Sequence, residues 1–165
     1  MTKRTIYSRV QFMDRFIEAE LPLTIGQDTV AAISKATKPL PPEMIDTYLL
    51  PLEDGQVNEF TEFIACYRLS TEAYDAIVYW RADLLQYHYA FVTLDPKTGE
   101  MIDRRVIAGT SYVDGELTQS SAAINEEMTI YVVSGQGSAA DYDYKASGST
   151  ATRLQVAEGG KIMEV

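Results

Sequence analysis

Tyr87-His88-Tyr89-Ala90-Phe91-Val92-Thr93-Leu94-Asp95-Pro96-Lys97-Thr98-Gly99-Glu100-Met101-Ile102-Asp103-Arg104-Arg105-Val106-Ile107 is the stretch that decides the fold. Two runs rich in β-branched and aromatic residues flank a short turn segment. Such residues suit the pleated backbone of a strand. Asp95-Pro96-Lys97-Thr98-Gly99 fits a type I turn with Gly99 in the left-handed bulge position. Strands joined by so short a link must be antiparallel neighbours, because a parallel pair needs a crossover of about a dozen residues or more. Tyr87, Tyr89, Phe91 and Thr93 share one face of the first strand. His88, Ala90, Val92 and Leu94 share the other. Both faces are apolar or aromatic, so this strand is expected to be covered on both sides. In the second strand Met101 and Val106 are expected to point inward.

Outward from this hairpin the pattern repeats. From about Phe60 the period is 2, and residues 64–69, 74–81, 116–122, 128–134, 151–156 and 161–165 also read as strands. Asp114-Gly115 and Gly159-Gly160 each fit a two-residue hairpin turn. Residues 135–149, rich in Gly, Ser, Ala and Asp, read as a long mobile loop broken by a short strand at Tyr142–Lys145. Before Phe60 the period is nearer 3.6. Val10, Met13, Phe16 and Ile17 fall at helical spacing over residues 9–20, and Leu21-Pro22 ends that helix. Asp28 is placed to cap a second helix, Thr29 to Lys35, with Val30, Ala31 and Ile33 inward. Lys38-Pro39-Leu40-Pro41-Pro42 is stiff and extended, and Pro42 suits the first position of a third helix, Glu43 to Leu50. The fold class expected is mainly β (α+β). It is a single domain over 1–165: a helical and extended segment at 1–58, then a curled antiparallel β-meander or partial barrel at 60–165 with the short N-terminal helices packed on it.

The chain has 165 residues, 46% of them apolar and 23% charged, ordinary for one globular domain. The net charge is −10. Residues 1–82 carry 8 basic and 12 acidic groups and residues 83–165 carry 6 and 12, so the deficit is not confined to a tail. A phosphate backbone is repelled by such a surface, which argues against nucleic-acid binding. A basic protein would be steered toward it, and a basic protein or a small ligand is the partner expected. No apolar run approaches the roughly 18 residues of a membrane span. The segment Met1-Thr2-Lys3-Arg4-Thr5-Ile6-Tyr7 has no apolar stretch behind it, so a cytoplasmic location is expected.

The order of these features resembles a group of small, uncharacterised bacterial β-meander proteins familiar from Bacteroidetes-type genomes. The pieces that carry the likeness are Ala19-Glu20-Leu21-Pro22-Leu23-Thr24, then residues 41–50, Asp75-Ala76-Ile77-Val78-Tyr79, residues 93–103 and Gly159-Gly160-Lys161-Ile162. That group has no assigned reaction, cofactor or catalytic residue, so the resemblance implies an architecture and transfers no site.

The chemistry-bearing residues are few. Gly135-Gln136-Gly137-Ser138-Ala139-Ala140 matches a relaxed dinucleotide-binding pattern, but the chain ends 30 residues after Gly135, with no room for the βαβ unit that pattern needs. Asp141 and Asp143 offer oxygens to a hard cation, but the twelfth position of a calcium loop is Thr152, so no metal site and no cofactor is assigned. Cys66 is the only cysteine, which excludes an internal disulfide and suits a buried apolar position. His88 is the only histidine, and its same-face neighbours place it in or near the core. Tyr67, Tyr74, Tyr79, Trp80, Tyr87, Tyr89 and Phe91 fall within 25 residues. Tyr79 alternates with Asp75, Ile77 and Arg81, a mixed set that reads as rim. Trp80 alternates with Ala76 and Val78 and reads as buried. Tyr79, Tyr87 and Tyr89 are the candidate ligand-binding residues. The reading these features support is a non-catalytic binding or interaction module. Its alternatives are an acidic immunity-type inhibitor of a basic toxin and a small enzyme working through Asp75, Asp83 or Asp103.

Overall fold

The structure, a computed structural model, describes residues 5–53, 55–138 and 149–165. It is mainly β, with 48% strand and 16% helix, and its ten-stranded sheet is not closed. The main strands are β3 (Glu62–Ser70), β4 (Asp75–Ala82), β5 (Gln86–Leu94), β6 (Met101–Val113), β7 (Glu116–Ile124), β8 (Thr129–Ser138), β9 (Ser149–Val156) and β10 (Ile162–Glu164). They pair in chain order, each antiparallel to the next, as a meander with short links requires. The β5–β6 link behaves as read: Asp95 Oδ1 accepts the Lys97 and Thr98 N–H groups, and Gly99 takes φ 77°.

Two short strands come from the N-terminal segment. β1 (Ile17–Glu18) lies parallel to β3, and β2 (Leu23–Ile25) lies antiparallel to the second half of β7. The expected helix at 9–20 is therefore corrected. α1 spans only Arg9–Met13, held by a capping box between Ser8 and Gln11, and its buried residue is Phe12, not Val10. The open edge of β3 offers unpaired backbone groups to Ile17 and Glu18, and pairing there replaces further helix. α2 (Thr29–Ala36) buries Ile33 but leaves Ala31 exposed. Asp28 holds its cap position without a side-chain bond. α3 (Pro42–Met44) runs on through a π turn, Ile45–Leu49, and a 3₁₀ turn, Leu50–Leu52.

Two apolar clusters flank the centre of the sheet. One gathers Val78, Tyr89, Phe91, Ala122, Ile124, Ile130 and Leu154 with Ile25 and Ile33 from the N-terminal segment. The other packs Phe12, Phe16, Met44, Leu49 and Leu52 onto Ile77, Tyr79, Ala90 and Val92. β4 and β5 are thus covered on both faces; the doubly apolar pattern of β5 implies this, whereas the mixed Asp75, Ile77, Tyr79 and Arg81 set of β4 reads as rim.

Three further expectations are corrected. Met101 and Val106 are exposed, while Ile107 and Ala108 are buried, because register shifts between Tyr89 and Ala90 and between Thr93 and Leu94 interrupt the alternation. The link at Gly159-Gly160 is longer than two residues: the Ala157 N–H donates to the Lys161 carbonyl, and Gly160 alone takes a positive φ of 96°. The expected loop at 135–149 begins later, since β8 continues through Ser138 and β9 starts at Ser149. The rest of that segment, with Tyr142–Lys145, Asp141 and Asp143, lies outside the described residues. Among the described residues no helix is long and apolar enough to cross a membrane.

β10 approaches β6 without joining it. Asp103 Oδ2 accepts the Ile162 N–H at 2.8 Å, and Thr93 Oγ1 donates to the Gly160 carbonyl at 2.7 Å. Side chains thereby tie the last strand across the open side of the sheet.

Candidate functional site

Strand register assembles one site that no local sequence signal announces. Arg81 stands opposite His88, His88 opposite Gly109, Gly109 opposite Ser120 and Ser120 opposite Ser134. Successive opposed pairs thus string these five into one register row across β4 to β8, although His88 alternates with Ala90 and Val92 under the N-terminal helices while Ser120 and Ser134 alternate with Ala122 and Val132 of the opposite core. The next row is Gln86, Ser111 and Thr118. At the middle of the first row Gly109 has no side chain. His88 and Ser120 stand in register two strands apart, across about 10 Å. The result is an open hollow of about 300 Å³ bounded by these two rows, with Val106 and Val132 at its other end. It lies where the N-terminal segment stops covering the sheet. A Cβ on Gly109 would come within 2.4 Å of the Tyr87 carbonyl oxygen and 2.8 Å of His88 Cα, so the tight approach of β6 to β5 here requires glycine.

The far wall is made of hydroxyls. Ser120 Oγ and Ser134 Oγ lie 2.7 Å apart, an arrangement in which one hydroxyl donates and the other keeps its proton for a further bond. The near wall is His88, half-buried, with a buried ion cluster behind it. Glu53, at the end of the 3₁₀ turn, accepts from Arg81 Nη1 at 2.7 Å, Arg104 Nη2 at 2.6 Å and the Tyr79 hydroxyl at 2.5 Å. Its side chain is only 2% exposed. Arg81 also reaches Asp83 Oδ2 at 3.2 Å and the Gln56 carbonyl at 2.7 Å. Arg104 Nη2 lies 3.5 Å from His88 Nε2. A guanidinium can only donate, so Nε2 is the acceptor and the ring proton is assigned to Nδ1.

These contacts set the titration of the site. Burial pushes the Glu53 carboxyl up, but the Tyr79 and Arg81 hydrogen bonds and the Arg104 and Arg81 charges outweigh it and hold it below its ordinary range. Burial lowers the His88 imidazole; the Glu53 charge opposes this and the Arg104 charge reinforces it. Burial raises the Tyr79 hydroxyl, and its bond to Glu53 adds to this. Two arginines are balanced by Glu53 and Asp83, so the cluster carries no excess charge toward the hollow. Among the described residues that line the hollow there is no Asp, Glu, Lys or Arg.

The candidate residues read from sequence are dispersed by this geometry. Tyr87 borders the hollow. Tyr79 is 0% exposed on the face the N-terminal segment covers, which corrects its expected rim position: the charge that made its neighbours look superficial, Arg81, is itself buried against Glu53. Tyr89 is also 0% exposed, on the opposite face. Its hydroxyl accepts the Val30 N–H at 3.0 Å and donates to the Gly26 carbonyl at 3.1 Å, capping α2 from the core. The three tyrosines do not form one platform. Trp80, expected to be buried, is partly buried and packs 5.9 Å from the Tyr87 ring. Asp75, Asp83 and Asp103 do not converge. Asp83 is held by Arg81 and Thr61, Asp103 bonds the Ile162 and Arg104 N–H groups, and Asp75 opens β4 at its far end. Cys66 is fully buried, and burial pushes its thiol up to about 12. Among the described residues, no group of three or more His, Cys, Asp or Glu is placed to hold a metal ion. Sequence reading missed Glu53, Arg104, Gly109, Ser120 and Ser134.

No family model matches the chain, and neither a curated protein nor a solved structure matches it.

Proposed function

We propose that this protein is a non-catalytic binding module that takes a small uncharged ligand in the hollow between His88 and the Ser120–Ser134 pair. The observation that carries this reading is a concave site lined by neutral hydrogen-bonding side chains in a chain of net charge −10. Sites for small molecules are concave and hold a few convergent polar groups. Glu53, Asp83 and Asp103 are held by Arg81, Arg104, Tyr79, Thr61 and backbone N–H groups, which favours recognition over acid–base work. The test is a screen of uncharged fragments by amide chemical shifts. Binding should perturb Gly109, Ser120 and Ser134 together. Ser134→Phe, which fills the hollow from β8, should abolish it while leaving the far-ultraviolet spectrum unchanged. Fragments that perturb other surfaces and spare these amides would refute the reading.

One observation favours a second reading, capture of a basic protein. Leu84 and Leu85, each 72% exposed, sit at the tip of the β4–β5 turn, near exposed Phe60 and beside Asp83. An apolar tip on an acidic molecule suits a partner with a basic rim. Such a complex would weaken with salt and with Leu84→Ser, whereas ligand binding in the hollow would respond to neither.

A further inference from the structure

We infer that the ligand of the hollow is a neutral polyhydroxylated molecule of the saccharide or polyol class; this rests on the binding reading above and narrows it. The first support is the kind of polar group present. Ser111, Thr118, Ser120 and Ser134 offer hydroxyls, Gln86 an amide and His88 an imidazole. A hydroxyl both donates and accepts, and its proton rotates to suit the partner. Sugar hydroxyls have the same dual character. A ligand of fixed polarity would be met more economically by backbone groups or by charges.

The second support is the arrangement. Gln86 and His88 of β5 and Ser120 and Ser134 of β7 and β8 all line the hollow, with Gly109 of β6 in register between them. A ligand in the hollow meets polar partners from both β5 and the β7–β8 pair. Val106 and Val132 close one end and suit the C–H face of a saccharide ring. The third support is charge. Phosphate or carboxylate ligands are drawn by an unpaired cation, but Arg81 and Arg104, the cations beside His88 among the described residues, are both committed to Glu53. An ammonium ligand finds no carboxylate among the described lining residues.

Isotope-labelled full-length protein would be titrated with D-glucose, D-galactose, N-acetyl-D-glucosamine and myo-inositol, each to about 10 mM, a range that detects weak affinities. Charged controls are D-glucuronate and glucose 6-phosphate, and uncharged controls without hydroxyls are indole and benzamide. The inference expects saturable shifts at Gly109, Ser120, Ser134 and the His88 ring with at least one neutral polyol. Ser134→Ala should weaken that binding roughly five- to tenfold, the loss of about one hydrogen bond. Ser121→Ala, on the opposite face of β7, should leave it unchanged. Tighter binding of glucuronate or glucose 6-phosphate in the hollow would overturn the polyol class and leave the cavity reading standing. The same holds if indole or benzamide occupies the hollow and the polyols do not. Absence of any shift at these positions with every probe would overturn both.

Discussion

β4–β5 and β7–β8 are neighbouring parts of one sheet, yet they are stabilised differently. On β4 and β5 each face meets a layer: Ile77, Tyr79, Ala90 and Val92 meet the N-terminal helices, while Val78, Tyr89 and Phe91 meet the opposite core. On β7 and β8 one face carries Ala122, Ile124 and Ile130 into the core, and the other presents Ser121, Tyr131 and Val133 to solvent. The difference teaches where a site can exist. Where both faces are packed, polar groups survive only as a satisfied cluster, as around Glu53. Where packing runs out, at Gly109, polar groups stay open.

The largest effects should come from the doubly covered part. Glu53→Ala leaves Arg81 and Arg104 buried without their carboxylate and should destabilise by about 3–5 kcal/mol in urea unfolding. A loss below about 1 kcal/mol would show that the N-terminal cover does not depend on the cluster. Tyr79→Ala removes a fully buried ring and a bond to Glu53 and should also cost about 3–5 kcal/mol. It should exceed Trp80→Ala, because the indole is only partly buried. The opposite order would mean that the face assignment is inverted.

Acid should act on the same region. The folded Glu53 carboxyl titrates below its ordinary value of 4.5, so its contribution is present above that pH and is lost as pH falls through the folded value. His88 is also lowered, from 6.5. The unfolded chain therefore binds the His88 proton more readily, and stability falls as pH drops below about 6.5. Denaturant midpoints at pH about 7 and about 5.5 should differ in the wild-type protein and differ less in His88→Asn. An equal drop in both would assign the acid sensitivity to other groups.

The comparison also explains what could be read from sequence. The β5–β6 hairpin was legible because Asp95, Gly99 and the flanking periods are local features. The double cover of β5 was legible because both sets of alternate residues are apolar. β1 and β2 were not, since two or three residues cannot display a period. The site was the least legible part. Glu53, Arg81 and Arg104 are brought together by a turn and two strands far apart in the chain, and charge in sequence reads as surface. Gly109 looked like any strand glycine until register placed it between His88 and Ser120.

A middle-sized effect is expected at the turn. Gly99→Val forces a β-branched residue to φ 77° and drives its Cβ to 2.6 Å from Arg9 Nη1. Arg9 bonds the Pro96 and Lys97 carbonyls here, at 3.0 and 3.1 Å. Its side chain can swing away, so the cost should be dominated by the left-handed backbone, about 1–2 kcal/mol. Gly99→Asn, which tolerates that backbone better, should recover part of it.

The smallest effect belongs to the bare face. Val133 is 53% exposed and points away from the core that its neighbours Ile130 and Val132 help to form. Val133→Thr keeps β-branching, so strand propensity is preserved. Little apolar surface changes environment, and the loss should stay within about 0.5 kcal/mol. Ile130→Thr, on the covered face of the same strand and 0% exposed, buries a hydroxyl and should cost several times more. A Val133→Thr loss as large as that of Ile130→Thr would mean that the outer face of β8 is covered in solution. Repeating the measurement across protein concentrations would identify the cover: a loss that shrinks on dilution marks a second copy of the chain, and a constant loss marks a contact within it.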